Sequence, residues 1–249
     1  MPNLPSGTVT FVFSDIESST SLLKRLGDAR YAQVLATHRR IVRETFGVQH
    51  GQEIDTQGDA FFYSFPRARD AVAAAVEVQR AHEREDWPDG VAVRMRLGLH
   101  TGEPAIGDEG YTGLDVVRAS RIAAVGRGGQ VLLSETTSAI VAGDLPVGVE
   151  LHSLGDQRLR DIDRPEPLHE LRIDGVATTP GTTSIDPDMP LHADTPRDRD
   201  PEPAACHPGS VRDVTDVASR AGGIAGRPHR RADRATRPGR ADRRVRGRA

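Results

Sequence analysis

The sequence predicts a mixed α/β (α+β) fold with a βαββαβ core, a C-terminal extension of that core, and a tail outside it. Three observations carry this prediction. A β-branched and aromatic run opens the chain and is followed by a long helical stripe. Two short apolar strands then flank the turn Gln57-Gly58-Asp59. An alanine-rich helical segment follows and leads into a run of strict apolar alternation.

Taken in order, Thr8-Val-Thr-Phe-Val-Phe13 reads as a buried strand. Ser18, Ser19 and Thr20 offer N-cap hydroxyls for the helix that comes next. Gly27 separates a short first helix from the main one, in which Val34, Leu35, His38, Ile41, Val42, Thr45 and Phe46 fall on one face. Gly47 and Gly51 supply stop signals. Residues 52–56 and 60–65 form a strand pair, Pro66 opens the next element, and residues 68–85 form a helix with Val72, Ala75, Val76 and Gln79 on its packing face. Residues 91–101 alternate Val91, Val93, Met95, Leu97 and Leu99 against polar or small residues, as a half-buried strand does. This order is the split βαβ, or ferredoxin-like, arrangement. The extension contributes a helix over 114–125, a strand over 130–133, a short helix capped by Ser134 and ending near Gly143, and closing strands over 150–154 and 168–173. The globular domain is expected to cover residues 1–175.

Composition divides the chain at the same place. From residue 176 onward 14 arginines stand against 10 acidic residues, so with a whole-chain formal charge of −3 the first 175 residues carry about −7. An acidic domain argues against a nucleic-acid-binding core. Residues 177–203 are rich in Thr, Pro and Asp, and the remainder in Arg, Ala, Gly and Asp, so residues 176–249 read as a linker and a disordered, low-complexity tail. That tail is either a basic partner-binding segment or the product of a shifted reading frame. Cys206 is the only cysteine, which excludes an intrachain disulfide and a cysteine-built metal site. The N-terminus lacks the basic and apolar regions of a secretion signal. No apolar run approaches the roughly 20 residues that span a bilayer. The expectation is a soluble, cytoplasmic protein that does not engage membranes.

Two carboxylates stand out. Asp15 follows the first strand, and Asp59 sits in the hairpin turn, which the βαββαβ topology can bring beside it. Paired carboxylates at strand ends are what Mg²⁺ or Mn²⁺ on a nucleoside triphosphate requires. The peptide N–H groups of Glu17, Ser18, Ser19, Thr20 and Ser21, opening a helix, offer a cradle for phosphate. Each aspartate alone is also an ordinary turn or pre-helix residue.

The blocks Phe13-Ser-Asp-Ile-Glu-Ser-Ser-Thr20, Gly58-Asp-Ala-Phe-Phe62, Gly98-Leu-His-Thr-Gly102 and Ala119-Ser-Arg-Ile-Ala123 resemble, in order and spacing, those of class III adenylate/guanylate cyclase domains over residues 7 to 173. The similarity is greatest to actinobacterial cyclase-like domains joined to regulatory modules. The resemblance implies that Asp15, Asp59 and the Ile16 carbonyl hold Mg²⁺ or Mn²⁺, and that Arg121 stabilises the transferring phosphates. It further implies a homodimer with shared sites, and attack of the ribose 3′-oxygen of ATP or GTP on the α-phosphorus, giving a cyclic nucleotide and pyrophosphate. Read without the resemblance, Arg121 is a surface helix charge or a partner of Asp115.

The chain departs from the family pattern where the base and the transition state are read. Asp55 stands at the base-recognising lysine, Val117 at the transition-state asparagine, and Gly110 near the second base-recognising position. Lys24 and Asn3, the only lysine and asparagine, lie too far away to substitute. Gln57 shares a strand face with Asp55 and Asp59 if the strand stays regular, and is then either a base-edge partner or an exposed turn residue. Arg160 resembles a phosphate-contacting basic residue, or forms an exposed ion pair. His100 reads as a structural strand histidine, Asp108, Glu109 and Asp115 as a solvated loop and helix face, and Gly126-Arg-Gly-Gly129 precedes a strand, which disfavours a P-loop. The leading expectation is a nucleotidyl cyclase of reduced turnover. The alternative is a degenerate cyclase homology domain that acts as a nucleotide-binding or transcription-regulatory module. A polymerase of the palm class lacks a basic duplex-binding face.

Overall fold

Apolar strands sandwiched between helices and a second, partly covered face organise the chain. The computed structural model describes residues 4–107 and 110–181. Its elements are β1 (Val9–Ile16), α1 (Ser19–Leu26), α2 (Asp28–Val48), β2 (Gln52–Gln57), β3 (Ala60–Phe65), α3 (Ala68–Arg84), β4 (Met95–Gly102), β5 (Ala105–Gly107), β6 (Gly110–Thr112), α4 (Leu114–Val125), β7 (Val131–Ser134), α5 (Glu135–Val141), β8 (Val149–Gln157) and β9 (Glu166–Ile173). Among the described residues the strands form a seven-stranded sheet ordered β2-β3-β1-β4-β7-β9-β8 and a separate β5-β6 ribbon.

The expected core order is present. β1 runs antiparallel to both β3 and β4, and β2 pairs with β3. The extension adds β7 parallel to β4 through the α4 crossover, and β9 and β8 close the sheet. Val12, Ile16, Val34, Val42, Phe46, Val72, Ala75, Met95 and Leu97 belong to the main core, between the sheet and helices α2 and α3. The α2 stripe buries Val34, His38, Ile41, Val42 and Phe46, as its spacing requires.

On the opposite face α4 lies directly on β4. A Cβ built on Gly98 would stand 2.1 Å from the Ala123 backbone nitrogen, so only glycine admits this approach. Gly58, with φ +60, begins the two-residue turn between β2 and β3.

Several expected boundaries move. β1 continues through Asp15 and Ile16, because Ser14, Asp15 and Ile16 pair with Leu97, Arg96 and Met95. The strand expected over 91–101 begins only at Met95, since a 3₁₀ turn at Pro88–Gly90 delivers Val91 and Val93 to the core without a ladder. β8 is longer than expected and carries a register shift between Ser153 and Gly155. The β5-β6 ribbon occupies a stretch read as loop. Ser18 precedes α1 in the left-handed conformation, φ 56, and its hydroxyl makes no cap, whereas Ser134 accepts from Thr137 N–H as expected.

Val176 packs on the core and Thr179 N–H donates to the Gly128 carbonyl at 2.8 Å, so the described chain continues past Ile173 along the 126–129 loop. Asn3, Asp108, Glu109 and residues 182–249 lie outside the described residues. No described helix is long and apolar enough to cross a membrane.

Candidate active site

The extension of β1 decides where the carboxylates stand. Asp15 occupies the penultimate position of the strand, directly across from Arg96 on β4. Arg96 Nε and Nη2 donate to the two Asp15 oxygens at 2.5 and 2.9 Å, and the Arg96 Nη1 reaches the Ala124 carbonyl of α4 at 3.3 Å. Both side chains are largely covered, 14% and 18% exposed, so this is a shielded bidentate pair. Burial works against the Arg96 charge, but the Asp15 contact, with Glu17 and Asp59 nearby, raises its pKa above the ordinary value.

Asp59 is brought to the same place from the hairpin turn. Its carboxylate accepts the Ile16 N–H at 2.9 Å, which sets it against the peptide that follows Asp15. Helix α2 anchors that turn. Arg39 donates twice to the Gly58 carbonyl, at 3.0 and 2.6 Å, and His38 Nε2 lies 2.9 Å from the Asp59 carbonyl. Behind it His38 Nδ1 lies 2.9 Å from His82 Nε2, and His82 Nδ1 lies 2.8 Å from the Val78 carbonyl. Burial drives the pKa values of His38 and His82 down to about 4 and about 3. Tyr31 also faces this turn: burial first, then Asp59, raises the pKa of its hydroxyl, which bonds to Ser19.

The remaining expected residues divide. Ser18, Ser19 and Thr20 lead into α1, whose first N–H groups have no intrahelical acceptor. The N–H groups of Glu17 and Ser21 are withdrawn from the expected cradle, because they donate to the Arg94 and Ser18 carbonyls. The Glu17 side chain points to the far end of the domain sequence and accepts from the Thr179 hydroxyl at 2.6 Å.

Asp55 and Gln57 are exposed on one face of β2, with Gln57 Nε2 3.5 Å from Asp55 Oδ2. Asp59 leaves that face, because β2 ends at Gln57 and the turn folds the Asp59 carboxylate inward; the strand period therefore stops short of it. Arg121, on α4, donates to Asp161 at 2.6 Å, and Arg160 stands 3.6 Å from the same oxygen. Asp115, the alternative partner considered for Arg121, instead engages Arg118, His100 and the Glu103 N–H. Val117 lies one helical turn before Arg121, half-buried.

Arg96 is the residue that sequence reasoning missed. Its signal was a charged side chain at an alternate position of a strand destined for the centre of the sheet. A serine–histidine–aspartate series also exists, with His100 2.8 Å from Ser134 Oγ and 3.1 Å from Asp115. Ser134 is 1% exposed and caps α5, so its hydroxyl is no nucleophile; burial, opposed by Asp115, lowers the His100 pKa.

The donor chemistry suits a hard divalent cation. Asp15 and Asp59 present carboxylate oxygens at the end of β1, and a guanidinium already answers the local demand for positive charge. No cluster of three or more His, Cys, Asp or Glu ligands occurs among the described residues.

Known proteins resemble the chain in sequence and in fold. The family described as "Adenylate and Guanylate cyclase catalytic domain" matches residues 1–166. A protein of Mycobacterium tuberculosis with no characterised function is 36% identical over 170 residues, which is 67% of this chain and 56% of that protein. The chain therefore spans little more than half the length of that relative. An adenylate cyclase of Lachancea kluyveri is 30% identical over 192 residues, covering 67% of this chain and 10% of the enzyme. Among solved structures, an adenylate cyclase from Trypanosoma brucei in its monomeric state is 26% identical, with a TM-score of 0.61 over 71% of this chain and 93% of that one. The guanylate cyclase domain of a Catenaria anguillulae protein, in complex with GTP, matches in fold, with a TM-score of 0.59, 19% identity, and coverage of 67% and 96%. By its motifs, its fold and this match over residues 1–166, the chain belongs to the adenylate and guanylate cyclase catalytic domain family.

Proposed function

We propose that the protein is a nucleotidyl cyclase that converts ATP or GTP to a cyclic nucleotide and pyrophosphate in intracellular signalling. The observation that carries this reading is the hydrogen bond from Ile16 N–H to Asp59, which draws the hairpin carboxylate to the end of β1 beside Asp15. Asp15, Asp59 and the Ile16 carbonyl would hold Mg²⁺ or Mn²⁺, which supplies neutralisation of the triphosphate charge and acidification of the ribose 3′-hydroxyl.

The other parts of the reaction fall to the chain itself. Arg96, once its grip on Asp15 is released, is a bidentate phosphate partner within the same site. The leading N–H groups of α1, from Ser18, Ser19 and Thr20, favour negative charge and receive phosphate oxygens. Arg121 neutralises charge that develops as the bond to pyrophosphate lengthens, and Arg160 assists it. Gln57 meets the base edge, beside Asp55. The sites form between two copies of the chain, as the half-buried aromatic face of the sheet supports: Phe13 and Phe62 stack there with centroids 4.3 Å apart, next to Ile54. We place the protein in the cytoplasm, with its catalytic domain within residues 1–175 and the segment over 176–181 seated against it.

A second reading, a nucleotide-binding regulatory domain without turnover, is favoured by the exposed Asp55 carboxylate and by the apolar Val117 one turn before Arg121. One experiment separates the two. The full chain is incubated with Mn²⁺ and ATP or GTP, and cyclic nucleotide and pyrophosphate are measured over a dilution series. Turnover above that of Asp15→Ala and Asp59→Ala controls supports the cyclase. Metal-dependent binding of nucleotide with no product above the controls supports the second reading.

A further inference from the structure

Two basic side chains from different elements converge on one carboxylate. Arg121 of α4 donates through Nη2 to Asp161 Oδ2 at 2.6 Å, and Arg160 Nε lies 3.6 Å from that oxygen. Asp161 belongs to the loop between β8 and β9, and it is the more exposed partner, at 59% against 17% for Arg121. An exposed carboxylate normally contributes little to stability through such a pair.

Three features bear on what this contact can do. First, the grip is incomplete. Arg121 Nε is buried without a hydrogen-bond partner, whereas Arg96 and Arg43 each close a two-point contact with Asp15 and Glu53. Second, Asp161 holds a positive φ of 59°, a conformation that non-glycine residues adopt at a cost. Third, the loop does not depend on the pair. Leu159 and Ile162 on either side of it pack with Ile122 and Val125 of α4, so a rotation of the Asp161 side chain frees Arg121 while the backbone stays seated.

A single carboxylate oxygen thus faces a fork built for two acceptors. A phosphate group brings three oxygens and more charge, so it can satisfy Nη2 and the unmet Nε together. We propose that Asp161 is an internal competitor of the substrate: it stands in for a phosphate on Arg121 and Arg160 in the unliganded protein, and its displacement sets the affinity for the triphosphate. The proposal rests on the cyclase reading above, which places phosphate on Arg121. It adds a residue that opposes binding to those that promote it.

The test is calorimetric binding of inorganic tripolyphosphate and of Mn²⁺-ATP to the full chain. Asp161→Asn removes the charge and keeps a residue that tolerates positive φ. It is expected to bind both probes about threefold to tenfold more tightly than the wild type, the range that loss of a partly exposed competing pair allows. The gain should vanish when Arg121→Ala is combined with it, because the two changes act on one contact. Asp161→Gly, which relieves the positive φ, repeats the measurement on a second fold-compatible background, with thermal midpoints compared throughout. Unchanged or weaker binding by both variants at an unchanged midpoint overturns the latch. If tripolyphosphate binds the wild type with an affinity that Arg121→Ala leaves intact, the assignment of phosphate to Arg121 fails, and the latch with it. Tight binding lost in Arg121→Ala, with no gain in Asp161→Asn, retains the phosphate assignment and removes only the latch.

Discussion

Arg96 grips both carboxylate oxygens of Asp15 across one rung of the β1–β4 ladder, at 2.5 and 2.9 Å. A cation that needs Asp15 must compete with this guanidinium, and a triphosphate that arrives with the cation gives the guanidinium somewhere to go. Metal and nucleotide are therefore expected to bind cooperatively, each removing an obstacle to the other. Arg96→Gln separates the two effects. Without nucleotide it should bind Mn²⁺ about tenfold more tightly, since a competing charge worth about 1.4 kcal/mol is gone. With Mn²⁺ saturating, tripolyphosphate should bind more weakly by a similar factor. Titration calorimetry reads both, and an equal loss of both affinities would reduce Arg96 to a brace for the fold.

On the cyclase reading Asp59 has two tasks that one substitution can divide. Its carboxylate accepts from Ile16 N–H, which is structural, and it carries a negative charge, which a metal requires. Asp59→Asn keeps an acceptor oxygen and loses the charge. The thermal midpoint should fall by less than about 4 °C, corresponding to a change below about 1 kcal/mol, while Mn²⁺-dependent product formation drops to the level of Asp59→Ala. A large loss of stability in the Asn variant would assign Asp59 to the fold.

The strand and helix order was legible because it rests on periodicity, and periodicity survives in one dimension. The stripe from Val34 to Phe46 and the alternation from Met95 to Leu99 each have a single way to be buried. Asp15 and Asp59 were legible as a pair because topology alone brings β1 beside the β2–β3 hairpin. What escaped was polar and distant. Ser14 and Asp15 extend β1 because Leu97 and Arg96 face them, and no hydropathy pattern announces that. Arg96 looked like a solvent-facing position of a half-buried strand until α4 covered it. Glu17 meets Thr179 across 162 residues, a contact set by where the chain returns after β9. The β5-β6 ribbon is too short for a period to show.

Acid should weaken the fold in two overlapping windows. His38 and His82 have folded pKa values near 4 and 3, lowered first by burial, against 6.5 for a free imidazole. A third proton would complete the series of contacts from Val78 to Asp59, but burial outweighs it. Because the unfolded chain binds protons that the folded pair refuses, stability is full above pH 6.5 and declines as the pH falls toward 4 and 3. Glu53 follows. Its hydrogen bonds from Arg43 in the first place, then from Thr56 and Tyr63, hold its pKa near 2 against 4.5, so its contribution is lost between those values. Urea midpoints measured from pH 7.5 to 4 should fall below pH 6.5, and His82→Phe should flatten the decline in that upper window only. A flat profile between pH 6.5 and 5 would contradict the buried neutral pair.

Gly98 fixes the distance between β4 and α4, and thus the position of Arg121 relative to the sheet. A methyl group there would stand 2.1 Å from a backbone nitrogen of Ala123, which a side-chain rotation cannot relieve. Gly98→Ala should destabilise the protein by about 1–3 kcal/mol, as overpacking does, with a matching fall in the urea midpoint at constant slope. Gly58→Ala, in an open turn at φ +60, is the contrast: its cost is backbone strain alone and should be about 1 kcal/mol.

Val117 offers the most direct test of whether the site lacks only one donor. It lies four residues before Arg121 on α4, so the two side chains share a helix face, and it is half-buried at the position where the resemblance implies an asparagine. A well-placed donor of this kind contributes roughly 2–4 kcal/mol to a transition state when the surrounding site is built for it. Here the surrounding side chains pack against valine, so Val117→Asn should recover a smaller part, a rise in turnover of about tenfold with the Mn²⁺ requirement unchanged. The gain must disappear in Arg121→Ala, since both groups act on the same charge. Higher turnover that survives loss of Arg121 would locate the effect elsewhere. No gain, with nucleotide binding and the thermal midpoint intact, would favour the nucleotide-binding regulatory domain over the slow enzyme.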